Sequence, residues 1–497
     1  MPAVPTLRRV LPGQPWPLFD LASTRALEHI ALEHAAPHCL MQRAGLAVAR
    51  LCLAVAPHAQ RIWIAAGPGN NGGDGLEAAA RLQAQGKTVS VSWLGAPATA
   101  SNDCAASYQH AIAAGVVFVD APPTAFDLCV DALLGIGANR APSGTMAAWI
   151  DHMNASGMPV VSIDIPSGLD ADTGVAMTPC VRALACLCLL TIKPGLFTAD
   201  GRDASGSVWV DDLQVDWSAK AFARAPSACA HLAAPAAWRA ASYATHKGSR
   251  GDVVVVGGAP GMGGAAVLAG MAALHQGAGR VYLARLDGHA SSSLGSYPEL
   301  MPRDVEQIDF SRSTVVCGCG GGHRVVQHLA KILSTAPRLV LDADALNAVA
   351  RDSGLQAQLR ARRGRGWSTV LTPHPLEAAR LLGVTTAGVQ ADRRQAAARM
   401  SLAASCTVVL KGAGSIVARP GQTSVIVPTG NPRLATAGTG DVLAGAIGAA
   451  LANGLGEFQA ACDSTYMHGQ CADLWPGDVV LTAARLAIAP WRRTGTE

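Results

Sequence analysis

Charge is scarce in this sequence: Asp, Glu, Lys and Arg make up 15% of 497 residues, and the formal net charge is only +4. So small a surplus forms no basic stripe able to neutralise a nucleic-acid backbone, and nucleic-acid binding is not expected. The one basic cluster, "RARRGRGW" with Arg360, Arg362, Arg363 and Arg365, reads as the end of a solvated helix. With half of its residues hydrophobic, the chain has the material for large buried sheets and little for a disordered tail.

Long apolar runs are missing too. The opening "MPAVPTLRRVLPGQPW" has none of the unbroken apolar length of a signal peptide. The longest uncharged run, Val253 to Leu274, is interrupted by "GGAPGMGG", which suits a strand, a loop and a helix rather than a membrane span. No membrane association and a cytoplasmic location are therefore expected. Neither C-x-C pair, in "ALACLCLL" and in "VVCGCG", is followed by the paired ligands of a zinc site. The thirteen cysteines accordingly read as buried free thiols in a reducing compartment. No G-x-x-x-x-G-K-[ST] sequence occurs, which excludes a P-loop.

What is present is alternation. After an amphipathic helical opening, about Ala22 to Leu53, come "RIWIAAG", "TVSVSWLG", "GVVFVD", "DLCVDALLG", "PVVSIDIPSG" and "ALACLCLLTI", with helical stretches between. Near-continuous Val, Ile and Leu runs separated by helices predict a parallel sheet covered on both faces. The pattern lapses from about Ser218 to Thr245 and then resumes with "DVVVVGGA", "RVYLARL", "TVVCGCG", "RLVLDADAL", "TVLTPHP", "TVVLKG", "SIVARP" and "SVIVPTG". Two α/β domains follow, over residues 1–222 and 223–497.

Ligands of open α/β sheets sit beyond the carboxyl ends of the strands. Three such ends in the first half carry polar groups: "GPGNNGGDG", "DALLGIGANR" with Asp131, and "DIPSGLDADTG" with Asp164, Ser167 and Asp170. The glycines around Asn70 and Asn71 let main-chain amides approach a ligand, and a helix starting near Asp74 would turn its positive end to phosphate. Asn71, Asp131 and Ser167 could each give an oxygen to a hard cation, or join in a structural polar network. A simple turn capped by the asparagines is the plainer alternative.

These motifs, followed by "TIKPGL", resemble the YjeF N-terminal domain, the NAD(P)H-hydrate epimerase family. The resemblance implies a Rossmann-like three-layer domain that interconverts the R and S hydrates of NADH and NADPH, which bear a hydroxyl at carbon 6 of the nicotinamide ring. It places potassium (K+) on Asn71, Asp131 and Ser167. Its substrate contacts fall on Asn70, Asn71, Gly72, Gly73 and Asp74, on Gly135, Ile136, Gly137, Ala138, Asn139, Arg140 and Ala141, and on Asp164. Asp164 is the expected general acid/base, because epimerisation moves protons while the hydroxyl leaves and returns. Lys193 in "TIKPG" is expected to stabilise charge nearby. Where the family often reads "MENAG", this chain reads "MQRAG", with Gln42 and Arg43.

In the second half "NPRLATAGTGDVLAG" sets a glycine turn before an apolar helical run starting near Val442. The amides of Gly438, Thr439 and Gly440 can bind an anion, and Asp441 lies beside them. An anion cradle with an adjacent carboxylate suits phosphoryl transfer to a hydroxyl; a helix cap is the plainer reading. "VVLKGAGSIVA" brings Lys411, and "LTPHPLEAARLLG" brings His374 and Glu377, to further strand ends.

Together with "THKGSRGDVVVVGGAPGMGGAA" and "LDADALNAV", these segments resemble the YjeF C-terminal family, the ADP- or ATP-dependent NAD(P)H-hydrate dehydratases of ribokinase-like fold. Carried over, Lys411, Gly412, Ala413, Gly414, Ser415 and Gly440 bind the adenine nucleotide. Ala265, Gly320, His374 and Asp441 face the hydrate, with Asp441 deprotonating the ring hydroxyl. ADP is the expected phosphoryl donor, with Mg2+ screening the phosphates. The family's "GPGLG" reads "GCGGG" here, and Arg433 replaces a glycine in "NPGMATGGTGD". The whole reads as a fused repair enzyme acting on small molecules (NADHX, NADPHX and ADP), and a homo-oligomer is expected. The alternative is a ribokinase-like small-molecule kinase fused to a non-catalytic YjeF N-terminal binding module.

Overall fold

The computed structural model describes residues 7–138, 140–218, 222, 225–235, 242–288 and 297–491. Asn139 lies outside the described residues. The chain divides into two compact units, residues 1–11 with 16–230, and 12–15 with 231–497.

The first unit is built on strand Arg61–Ala66, whose side chains alternate between two cores. Ile62 and Ile64 pack with Val48, Leu51 and Leu76 on one face, and Trp63 and Ala65 pack with Phe126, Trp149 and Met153 on the other. A strand buried on both faces has no polar side to show, which is why its sequence is a run rather than an alternation. The sheet order is Arg8–Arg9, Ser207–Asp211, Ala185–Leu189, Val160–Ile163, Leu128–Ala132, Arg61–Ala66, Thr88–Trp93, Val117–Phe118. All neighbours are parallel except the first pair. Strand order reverses between Arg61–Ala66 and Leu128–Ala132, the switch point at which a doubly wound sheet opens a crevice.

Two helices replace the single expected opening helix: Leu21–Glu33 and Cys39–Val55. The break falls at "HAAPH", where Pro37 lacks an amide proton and His38 takes a φ of 63°. The next helix, Asn70–Ala84, begins four residues before Asp74, so its free amides lie at residues 69–72. A Cβ on Gly67 would overlap the Leu133 carbonyl, and one on Gly72 would overlap the Gly67 carbonyl. Glycine is needed there for close backbone approach.

The second unit repeats the logic. Its strands run in the order Leu300–Pro302, Arg280–Arg285, Asp252–Gly257, Thr314–Cys317, Arg338–Leu341, Ser368–Leu371, Thr407–Leu410, Ile416–Ala418, Ser424–Ile426. Pairing is parallel as far as Thr407–Leu410 and antiparallel beyond. Order again reverses beside strand Asp252–Gly257. Helix Thr439–Ala452 packs closely on helix Gly263–His275, because a glycine at 445 leaves room for the Ala269 carbonyl. It starts earlier than the run from Val442 suggested.

The α/β class is thus met in both units. All thirteen cysteines are free. Among the described residues no helix is long and apolar enough to cross a membrane. The basic cluster does end a helix, Ser353–Gly364, but Arg362 is 1% exposed and is not solvated. It donates to the Leu333 and Ser368 carbonyls and to the Thr369 hydroxyl.

Candidate active sites

A cavity of about 740 Å³ opens at the switch point of the first unit. Its walls include Asn70, Asn71 and Asp74 from helix Asn70–Ala84, residues 133–138 and 140–143, Asp164 after strand Val160–Ile163, and Arg25 and Glu28 from helix Leu21–Glu33. Most of the expected contacts are therefore brought together. Gly72 and Gly73 are not: both are buried, Gly72 against the Gly67 backbone and Gly73 against Met41 and Cys104. They allow the loop to pack and leave the cavity wall to their neighbours.

Asp164 is held in the left-handed region at φ 67°, a conformation disfavoured for a non-glycine residue and found disproportionately at functional sites. Its Oδ1 accepts from the Lys193 ammonium and from the Leu189 amide. Lys193 is fully buried and also donates to the Leu189 and Thr191 carbonyls. Burial opposes its charge, but Asp164 outweighs that and holds the ammonium above its ordinary range.

Two further carboxyls face the same space. Burial pushes Glu28 up to about 6, assisted by the Asp164 charge and opposed by Lys193 and Arg25. Asp74 is held well above the usual carboxylate range, by burial first and then by Asp164 and Glu28. The Asn70 side-chain oxygen accepts from Ser101, which fixes its amide at the rim.

Asn71 and Ser167 converge on the backbone of Leu134, and Asp131 holds Ser167. The Asn71 amide donates to the Leu134 carbonyl at 3.0 Å, and the Leu134 amide donates to Ser167 Oγ at 2.9 Å. Asp131 is fully buried and accepts from Ser162, from the Ser167 hydroxyl and amide, and from the Leu133 amide. Burial still raises its carboxyl above the usual range despite those bonds. Among the described residues no cation pairs with it.

In the second unit Asp441 lies in the first turn of helix Thr439–Ala452, with Gly438 as its N-cap. Burial, and then the Asp342 charge, push its carboxyl up to about 7, against a Cys319 hydrogen bond and the Lys411 charge. The ligand atoms of Cys319, Asp342 and Asp441 lie within 4.8 Å of one another. Asp342 is buried, accepting from Lys411 at 2.8 Å and from Thr372 at 2.7 Å. Lys411 stays above its ordinary range: burial opposes its charge, and Asp342, Glu377 and Asp441 favour it. Gly440 sits against the Lys411 ammonium, and Gly320 against Ala265.

The loop Lys411–Ser415 rests on Arg393, a buried guanidinium donating to the Lys411 carbonyl. His374 caps helix Pro375–Leu382 in a reciprocal box with Glu377, its Nδ1 accepting from the Leu376 and Glu377 amides. That ties it to backbone, while its half-exposed ring still borders the Lys411 and Asp342 charges.

This is the geometry of two separate polar centres, one per unit. Residues 253–489 match the family described as NAD(P)H-hydrate dehydratase, and residues 37–195 match the YjeF-related protein N-terminus. The bifunctional NAD(P)H-hydrate repair enzyme Nnr of Escherichia coli K12 is 35% identical over 88% of this chain and 84% of its own. That of Coxiella burnetii is 35% identical over 92% of this chain and 94% of its own. The chain belongs to the bifunctional NAD(P)H-hydrate repair enzymes. A solved Bacillus subtilis structure, described as an ADP/ATP-dependent NAD(P)H-hydrate dehydratase co-crystallised with ATP and Mg2+, is 26% identical over 50% of this chain and 91% of that one, with a TM-score of 0.43.

As a repair enzyme of this family, the chain carries both an epimerase and a dehydratase domain. Its local departures have structural partners. Arg43 donates to the Leu213 and Gln214 carbonyls, and Arg433 to the Trp475 carbonyl. Four site residues escaped the sequence reading: Glu28, Asp342, Cys319 and Arg393. Asp342 ends an apolar run as Asp131 and Asp164 do, and the same rule would have found it. Glu28 carries no such signal, since only the fold brings its helix to the strand ends.

Proposed function

We propose that the cavity of the first unit is the epimerase site, with Asp164 as an acid/base, and that the cluster around Asp441 is the dehydratase site. In this reading residues 1–222 epimerise the R and S hydrates, and residues 223–497 convert the S hydrate to NAD(P)H with ADP as phosphoryl donor, giving AMP and phosphate. The observation that carries it is Asp441: a carboxyl pushed up to about 7, in the first turn of a helix beside a buried lysine. A base poised near neutrality can take the ring hydroxyl's proton. Free amides at the helix start and the Lys411 ammonium stabilise the phosphates as the hydroxyl attacks the terminal phosphorus and AMP departs. Loss of phosphate from carbon 6 and of a proton from carbon 5 then restores the ring's double bond.

Potassium fits beside Leu134. Asp131, Ser167, the Asn71 amide and the Leu134 carbonyl form an oxygen donor set around a buried carboxylate that lacks a cationic partner among the described residues. When bound, the ion would neutralise Asp131 and hold the backbone around Leu134 in place. Mg2+ would be carried by the nucleotide's phosphates, because Asp342 is already paired with Lys411 and Asp441 has to stay free to act as the base. Thirteen free cysteines support a cytoplasmic location.

The test is recovery of dihydronicotinamide absorbance from a mixed R and S NADPH hydrate, with ADP, Mg2+ and K+. Complete recovery is expected. Recovery that stops when the S form is exhausted would refute the epimerase assignment, and a stable phosphorylated product would refute dehydration in favour of a kinase.

A further inference from the structure

Epimerisation at carbon 6 is a two-sided problem. The hydroxyl must leave one face with a proton, and water must add to the other face and lose one. A single acid/base cannot attend both faces, so a site that runs the reaction in both directions requires two proton-carrying groups. We propose that Glu28 is the second catalytic acid/base of the epimerase, working opposite Asp164. The inference rests on the cavity being the epimerase site.

The argument is one of placement. Glu28 reaches the cavity from helix Leu21–Glu33, and Asp164 reaches it from the end of strand Val160–Ile163. The charged and titratable groups that face Glu28 are Arg25, Asp74, Asp164 and Lys193. Lys193 is committed to Asp164, while Glu28 has no ion-pair partner among the described residues. One member of the pair is thus held by a cation, and the other is free to carry a proton. The Glu28 carboxyl titrates at about 6, where neither form is strongly disfavoured.

The step balances. Glu28 gives its proton to the ring hydroxyl as the C6–O bond breaks, the lone pair of N1 forming an iminium, and water leaves. Water adds to the other face of C6 and passes its proton to Asp164. The reverse reaction moves the proton from Asp164 back to Glu28.

The experiment follows interconversion of purified R hydrate into S hydrate without ADP, using the full chain. Dehydration of pure S hydrate by the same preparation is the folding control. Glu28→Gln is expected to lower epimerase kcat about 100-fold or more, with dehydration unchanged. Wild-type kcat/KM should fall as pH rises through about 6, and that fall should be absent from the residual Glu28→Gln rate. Glu28→Ala should regain rate with added formate, which a purely structural role would not allow. Epimerisation by Glu28→Gln within threefold of wild type, or a fall near pH 6 that survives the substitution, would overturn the proposal. If the wild type itself does not interconvert the hydrates, the epimerase assignment fails instead. If Asp164→Asn is inactive while Glu28→Gln is active, only the Glu28 proposal fails.

Discussion

Replacing Asp342 with asparagine should move the pH dependence of dehydration toward acid. As a base, Asp441 works only when ionised, so wild-type kcat/KM should rise with pH through about 7. After burial, the neighbouring Asp342 charge is the largest cause of that elevation. Their oxygens lie within 4.8 Å of each other. At that separation and an effective dielectric near 20, two unit charges repel by roughly 3 kcal/mol, or about two pH units. Asp441 is partly open to solvent, and screening should leave about one unit. Asp342→Asn also frees Lys411, whose charge acts on Asp441 in the same direction. The midpoint is therefore expected near 6, while the plateau drops because Lys411 loses its anchor. Lys411→Met should shift the midpoint the other way. Initial rates on pure S hydrate with saturating ADP, across the range in which the protein stays folded, measure both. An unmoved midpoint in Asp342→Asn, or shifts of the same sign in the two variants, would refute the electrostatic account of Asp441.

Other expectations follow from single contacts. Lys193→Met removes the buried partner of Asp164 and should destabilise the protein by about 3–5 kcal/mol in denaturant titration, with epimerase activity lost. Cys319→Ala removes a hydrogen bond that lowers the Asp441 carboxyl, so the dehydration midpoint should move up by less than about one pH unit. Exchange of K+ for choline should slow epimerisation and leave Asp131→Asn unaffected by the exchange, if Asp131 is what the ion neutralises. Gly445→Ala drives a methyl into the Ala269 carbonyl and should cost about 1–3 kcal/mol, read as a lower denaturation midpoint.

How much of this was legible in the sequence differs by residue, for physical reasons. Strand-end rules worked because a parallel strand is an apolar run with one exit. Asp131, Asp164 and the "GPGNNGGDG" loop had to emerge on the same edge of one sheet. Helix starts were less legible. Asn70 to Gly73 carry glycines and asparagines that propensity counts against a helix, but the close packing of Gly72 on Gly67 and of Gly73 on Met41 overrides it. His374 illustrates a polar side chain that the sequence leaves ambiguous. Proline on either side fixes the turn, and only the folded chain ties its Nδ1 to two amides as a helix cap.

Glu28 and Arg362 were illegible for opposite reasons. Arg362 lies in a basic run that looks solvated, yet three oxygens from separate segments satisfy it in the interior. Such a partner set is tertiary and has no local signature. Glu28 sits on an ordinary amphipathic helix, and in the sequence it is one acid among several polar residues. What distinguishes it is the switch point between strands Arg61–Ala66 and Leu128–Ala132, distant in sequence, where the sheet divides and the helix supplies a wall. The chemistry of the site asks for a second proton carrier, and the fold, not the local sequence, decides which of the helix's acids can answer.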